Sequence, residues 1–272
     1  MRRHAAMAAG GAISAVMLAI SLLALVWTPY KPTAIDIAHR LAPPSAAHWL
    51  GTDPLGRDVF SMLIAGGHNS LAVAVVAVGA GILAGVPLGL LAGRRGGVVD
   101  DLLMRGADLM FAFPALLTAV IITALAGPGA LAAALAIGIF NVPVFARLTR
   151  GATRALGQRD FVRAAMLLGR HELAIARVHI LPNLAALLVV QASIQFALAI
   201  LAEAGLSYVG LGTQPPAPSW GRMLNDAQTY IFTTPRLAIF PGLAIMAAVL
   251  GLNLLGDGLR DLLDPRLRSL RD

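Results

Sequence analysis

The chain has 272 residues, 58% of them hydrophobic and only 13% charged, with mean hydropathy +0.77. A soluble domain carries about a quarter charged residues, so this composition excludes that class and marks a membrane protein. The absence of cysteine removes disulfides, thiolate metal centres and cysteine nucleophiles, and the net charge of +7 is spread through short gaps between apolar runs rather than gathered into a nucleic-acid-binding patch.

Residues 7–27 form an uncharged run behind Arg2 and Arg3. At about 21 residues it can cross a hydrocarbon core of about 30 Å. A cleavable signal peptide has a shorter apolar region and a small-x-small site. Here Trp27-Thr28-Pro29-Tyr30 follows, which predicts a retained first helix. The next segment, to residue 69, is polar and mostly non-periodic. Within it His48-Trp49-Leu50-Gly51-Thr52-Asp53-Pro54-Leu55-Gly56-Arg57-Asp58 reads as consecutive turns.

A second span is predicted over 70–93. Gly81, Gly85, Gly89 and Gly93 recur every four residues and clear one helical face for close helix packing. Arg94, Arg95 and Arg105 flank the Asp100-Asp101 pair in a short loop before a third span over 107–126, where Asp108 is expected to pair with Arg105 one turn earlier. A Gly127-Pro128-Gly129 turn leads to a fourth span over 130–146. Arg147, Arg150 and Arg154 follow. An arginine at mid-bilayer costs about 2.5–3.5 kcal/mol, so these side chains are placed at or beyond the interface.

Residues 160–183 are the longest charged interval in the chain. Asp160 is a candidate helix cap, Gly169 can take the positive φ that ends a helix, and Pro182 suits the first turn of the next one. Between them Leu173, Ile175, Ala176 and Ile180 fall roughly on one helical face. The result is a bent, arginine-studded elbow at a membrane surface, suited to a groove on another protein. An ordinary amphipathic loop helix is the plainer alternative.

A fifth span over 184–204 carries Glu203 near its far end, and a polar excursion to residue 236 holds Gln214-Pro215-Pro216-Ala217-Pro218-Ser219-Trp220-Gly221. The last span covers 237–256, followed by a charged tail. With six spans and the amino terminus inside, 16 of the 21 Lys and Arg fall on the inner side. The outer five are Lys31, Arg40, Arg57, Arg222 and Arg236. That asymmetry predicts both termini and the elbow in the cytoplasm. The domain organisation expected is an N-terminal helix with an outer segment (1–69), a core of spans two to six (70–258) and a cytoplasmic tail (259–272).

Several runs carry a family resemblance. Ala164-Ala165, three residues, Gly169, then His179-Ile180-Leu181-Pro182-Asn183 resembles the "EAA" loop of bacterial ABC import permeases, although Arg163 stands where the general motif has glutamate. The ending at this spacing is similar to the dipeptide, oligopeptide and nickel branch. So are the His48–Asp58 run, Leu206-Ser207-Tyr208-Val209-Gly210-Leu211-Gly212 with Gln214–Gly221, and Asn253–Asp261 with Asp264-Pro265-Arg266. The resemblance implies an all-α, six-span, type I importer permease without a cofactor. Its implied partners are a second, related permease chain, two ATPase subunits and a solute-binding protein. Arg163, Ala164, Ala165, Gly169, Arg170, His179, Leu181 and Pro182 would form the loop seated in the ATPase. Asp53, Arg57, Asp58 and Trp220 would face the binding protein or gate the outer mouth. The implied location is the bacterial cytoplasmic membrane.

Other chemistries lack their residues. The single lysine, Lys31, lies beside Pro32, so no phosphate-binding P-loop is present. His171-Glu172 fails the zinc H-E-x-x-H pattern because Ile175 occupies the second histidine position, and Gly205-Leu206-Ser207 lacks the closing glycine of a nucleophile elbow at Val209. Asn141, Gln191 and Gln195 either line a neutral translocation path or bond helices together. The function expected is ATP-driven import of small peptides or nickel complexes, with an ion-coupled secondary transporter as the rival.

Overall fold

The computed structural model describes residues 2–263, so Asp264-Pro265-Arg266 and the rest of the expected tail lie outside it. The described residues are helical, with no strand beyond an isolated bridge between Thr52 and Asp58. Five helices are long and apolar enough to span a membrane: α1 (Arg2–Leu23), α2 (Val59–Arg95), α5 (Ala130–Gly157), α8 (Leu181–Tyr208) and α10 (Arg236–Leu263). A sixth candidate span is the pair α3 (Gly97–Phe111) and α4 (Ala115–Ala126), bent by 87°. Pro114 explains the break, since proline lacks the N–H a continuing helix needs and forces the preceding residue towards extended backbone.

Most helices outrun their apolar stretches, because hydropathy marks only the part in lipid. α2 begins eleven residues before the predicted span (at Val59 rather than 70) because Asp58 caps it, accepting from the Ser61 N–H at 2.8 Å and the Ser61 hydroxyl at 2.8 Å.

The core of the bundle is the packing of α2 on α5. A β-carbon on Gly85 would stand 2.8 Å from Phe145 Cβ, one on Gly89 2.7 Å from Thr149 Cβ, and one on Gly93 2.8 Å from Thr153 Cβ. One on Gly81 would come closer still, 2.3 Å from Asn141 Cβ. The four-residue stripe is therefore the surface through which the two backbones approach. α1 packs on α10 by the same device, with Gly10 against Leu254 and Leu255 and Gly251 against Ile13.

The segments between α1 and α2 and between α8 and α10 form a cap. Asp53 accepts from the N–H of Leu55 and of Arg57, and from Arg57 Nε at 2.7 Å. The same guanidinium reaches Asp226 at 3.3 Å, which also pairs with Arg222 at 3.0 Å. His48 bonds Asp58 at 2.9 Å, and Arg236 at the start of α10 donates to the carbonyls of Leu41 and Ala42. Asp53 and Asp226 thus share one arginine, joining the segment before α2 to α9 (Trp220–Ala227).

Candidate functional site

The elbow predicted between the fourth and fifth spans is present. α6 (Asp160–Leu167) ends at Gly169, whose φ of +72° is the left-handed conformation glycine accepts freely. The Arg170 N–H closes that turn on the Ala165 carbonyl at 3.1 Å. A second short helix, α7 (Glu172–Ile175), runs through a π-helical turn at Ala176–Ile180 directly into α8, with Pro182 in its first turn. Asp160 is not the cap expected of it. Arg159 holds the cap position without a side-chain bond, and Asp160 is the first helical residue, where its charge suits the helix N-terminus.

The elbow has two unlike faces. Val162, Ala165, Ile175, Ile180 and Leu184 are buried together against Leu90, Ala152, Leu156 and Leu188. Leu173, expected on that face, is exposed, because the π turn rotates the frame of the helix between it and Ile180. Arg163, Ala164 and Arg170 point outward, and Leu167 and Leu168 are 89% and 82% exposed at the tip. His179 is half-buried, its ring 6.5 Å from that of Phe161 and its carbonyl bonded by Asn183 at 2.7 Å. Leu181 is half-buried and Pro182 exposed.

Two ion-pair groups tie the spans at the same end. Asp100, 2% exposed, is bonded by Arg150 (Nη2 to Oδ2 at 2.6 Å, with a second contact from Nε) and by Arg154. Asp108 pairs with Arg147 of α5, not with Arg105 as its helical spacing predicted, and the Arg147 guanidinium also lies 4.4 Å from the Phe111 ring centre. A tertiary partner with a planar guanidinium has replaced the local one.

Inside the bundle, Asn141 of α5 and Gln195 of α8 are buried and hydrogen-bonded to each other at 2.6 Å, while Gln191 is half-exposed. Glu203, near the end of the fifth span, is completely buried among protein groups. It accepts from Ser70 of α2 at 2.8 Å, from Ser207 at 2.6 Å and from Thr213 at 3.4 Å. Ser70 in turn accepts from the N–H of Trp220, whose indole N–H donates to the Leu63 carbonyl at 3.0 Å. The cluster gathers α2, α8, the loop after it and α9 around one carboxylate. Its one sequence signal was an acidic residue inside an apolar helix, which calls for partners. Asp53, Arg57, Asp58 and Trp220 are all nearly buried in the cap. Large apolar side chains exposed in these segments include Ile35, Ile37, Trp49, Val209, Ile231 and Phe232.

A bundle of six spans with an exposed, two-faced elbow between the fourth and fifth is the membrane-embedded permease half of an importer. The chain belongs to the family described as binding-protein-dependent transport system inner membrane components, whose model matches residues 85–269. It is similar to a glutathione transport system permease protein of Pectobacterium atrosepticum (44% identical over 270 residues, 99% of this chain and 89% of that one). It is also similar to a dipeptide transport system permease protein of Alkalihalophilus pseudofirmus (43% over 256 residues, 94% and 84%) and to a probable D,D-dipeptide transport system permease protein of Escherichia coli (40% over 257 residues, 93% and 86%). Its fold matches the inward-facing MetNI methionine ABC transporter with a TM-score of 0.58 at 18% identity, over 77% of this chain and 96% of that one. It is thus a multi-pass inner-membrane permease subunit of an ABC importer rather than an enzyme. ATP hydrolysis belongs to the partner ATPase, and solute arrives on a binding protein.

Proposed function

We propose that this permease imports short peptides, glutathione and dipeptides being the class named for its relatives, and that residues 160–183 are the contact through which the ATPase drives it. The observation that carries the coupling assignment is the two-faced elbow. Its inner face is anchored in the bundle, so a load on the exposed tip at Leu167 and Leu168 is borne by the spans. The elbow and both termini lie in the cytoplasm, a reading supported by the excess of arginine at that end. A second, related permease chain completes the path. Supporting this, α4 buries only Ala119 and Thr123, leaving Leu116, Leu117, Ile121 and Leu125 for a neighbour to cover. The buried Asp53, Arg57, Asp58 and Trp220 brace the outer mouth, and Trp49 and Phe232 meet the binding protein.

Co-purification tests the coupling contact. The wild-type permease, co-expressed with its ATPase and second permease, is expected to retain the ATPase. Leu167→Asp with Leu168→Asp, which alters only exposed side chains, is expected to lose it, as is Gly169→Pro, whose ring cannot adopt the φ of +72°. Retention in the folded Leu167→Asp/Leu168→Asp variant would refute the assignment. Uptake into proteoliposomes carrying the whole complex, with glutathione, a dipeptide or Ni2+ as competitor, tests the cargo: inhibition by Ni2+ alone would overturn the peptide reading.

A further inference from the structure

A cavity of about 560 Å³ opens between the elbow-proximal end of α2 and α7. Its wall is apolar, formed by Val86, Pro87, Leu90 and Leu181. Its rim is cationic. Arg94, Arg95 and Arg177 surround it, and none of the three forms an ion pair among the described residues. The Arg94 Nε is buried there without a hydrogen-bond partner. The neighbouring arginines Arg147, Arg150 and Arg154 contrast with them, each being neutralised by Asp100 or Asp108. One carboxylate, Glu172, also lines the site, and His171 stands beside it, so three fixed positive charges face one negative.

Depth in the membrane selects the ligand. Residues 70–93 of α2 are uncharged and span about 36 Å at 1.5 Å per residue, slightly more than the hydrocarbon core. Arg94 and Arg95 therefore sit at headgroup level while Val86 and Leu90 remain among acyl chains. A site that is cationic at headgroup depth and apolar one to two turns deeper matches an amphiphile with an anionic head. We propose that this cavity binds an anionic phospholipid, its phosphate held by Arg94, Arg95 and Arg177 and its upper acyl chain laid along Val86 and Leu90. The lipid wedges between α2 and the elbow, so its presence sets how α7 rests on the bundle. The assignment to the inner leaflet follows from the orientation proposed above; the lipid class follows from the charges alone.

The test uses the assembled permease–ATPase complex in nanodiscs of mixed phosphatidylcholine and phosphatidylglycerol, extracted in detergent and analysed by native mass spectrometry. The wild-type permease is expected to retain phosphatidylglycerol in preference to phosphatidylcholine. Arg94→Gln with Arg95→Gln is expected to lower that retention about thirtyfold. Arg94→Lys with Arg95→Lys is expected to keep most of it, which separates loss of charge from loss of fold. Equal retention of both lipids by the wild type would overturn the proposal, as would undiminished phosphatidylglycerol in the glutamine variant. Capture of inorganic phosphate without lipid would also overturn it, and so would exclusion of lipid whenever the ATPase is bound, which would assign the arginines to that partner. Lipid retention is read without transport, so its failure is distinct from failure of the coupling assignment.

Discussion

Gln195 of α8 donates a 2.6 Å hydrogen bond to the side-chain oxygen of Asn141 in α5, and Asn141 donates onward to the Ala77 carbonyl of α2 at 3.4 Å. Three spans are thereby joined by two amides in a region otherwise filled with alanine, glycine and branched apolar residues. The bond sits where hydrocarbon supplies no substitute partner, yet such bonds are worth only modest amounts in membranes. A double-mutant cycle with Asn141→Ala and Gln195→Leu, read by thermal unfolding of the purified complex, is expected to give a coupling of about 0.6–1.7 kcal/mol. Additive effects of the two changes would mean that the amides act separately, as lining groups of a polar path.

The glycine stripe of α2 offers a sharper contrast. Gly89→Ala places a methyl 2.7 Å from Thr149 Cβ and is expected to cost about 1–3 kcal/mol by forcing α2 off α5. Gly79 lies two residues before the stripe on the same helix, with nothing within 4 Å of an added methyl. Gly79→Ala is expected to be neutral or to stabilise the helix by up to about 1 kcal/mol. Melting temperatures of the two variants in one detergent decide it.

Glu203 is a fully buried carboxylate held by three side-chain hydroxyls. Glu203→Ala leaves Ser70, Ser207 and Thr213 without their acceptor in a buried site, at about 1–3 kcal/mol for each group left unpaired. Ser207 also accepts from the Thr213 N–H at 3.0 Å, so the loop after α8 is expected to loosen first. Limited proteolysis within residues 209–219 should accelerate well before the bundle unfolds. Unchanged protection of that loop would show that Gly210, Gly212 and the prolines hold it without the carboxylate.

The two aspartates near the elbow should respond very differently. Asp100 is buried between Arg150 and Arg154, and Asp100→Asn is expected to cost about 1.5–3 kcal/mol through the lost charge-assisted hydrogen bonds, the partly exposed arginines being able to take up water. Asp108 and Arg147 are 64% and 43% exposed, so Asp108→Asn is expected to cost no more than about 1 kcal/mol. Chemical denaturation of the two variants side by side measures the difference.

The spans were legible because apolar runs near 20 residues are unambiguous, and the elbow because Gly169 and Pro182 punctuate it. The glycine stripe was legible for a related reason, its period of four being a statement about one helix face. Helix ends were not, since the helix outlasts the hydropathy that reveals it, as α2 does by beginning at Val59. α8 likewise continues to Tyr208, a turn beyond the span end read at residue 204, and the burial of Glu203 among Ser70, Ser207 and Thr213 needs tertiary structure to be seen. The partner of Asp108 was illegible because local spacing offers Arg105 while the fold brings Arg147 from 39 residues away. The outer cap shows the limit most plainly. Asp53, Arg57 and Asp58 read as surface charges in a loop, but their pairing with Asp226 and His48 needs tertiary structure to be seen.

The π turn at Ala176–Ile180 makes one stiff member out of what would otherwise be a loop and a span. From Glu172 to Tyr208 the backbone is a continuous helical rod of 37 residues, about 55 Å long at 1.5 Å per residue. One tip lies beside Gly169, and the opposite end holds Glu203, where Ser70, Thr213 and, through Ser70, Trp220 converge. The same helical run that begins at the elbow therefore carries, near its other end, the carboxylate on which the Ser70, Ser207 and Thr213 hydroxyls converge.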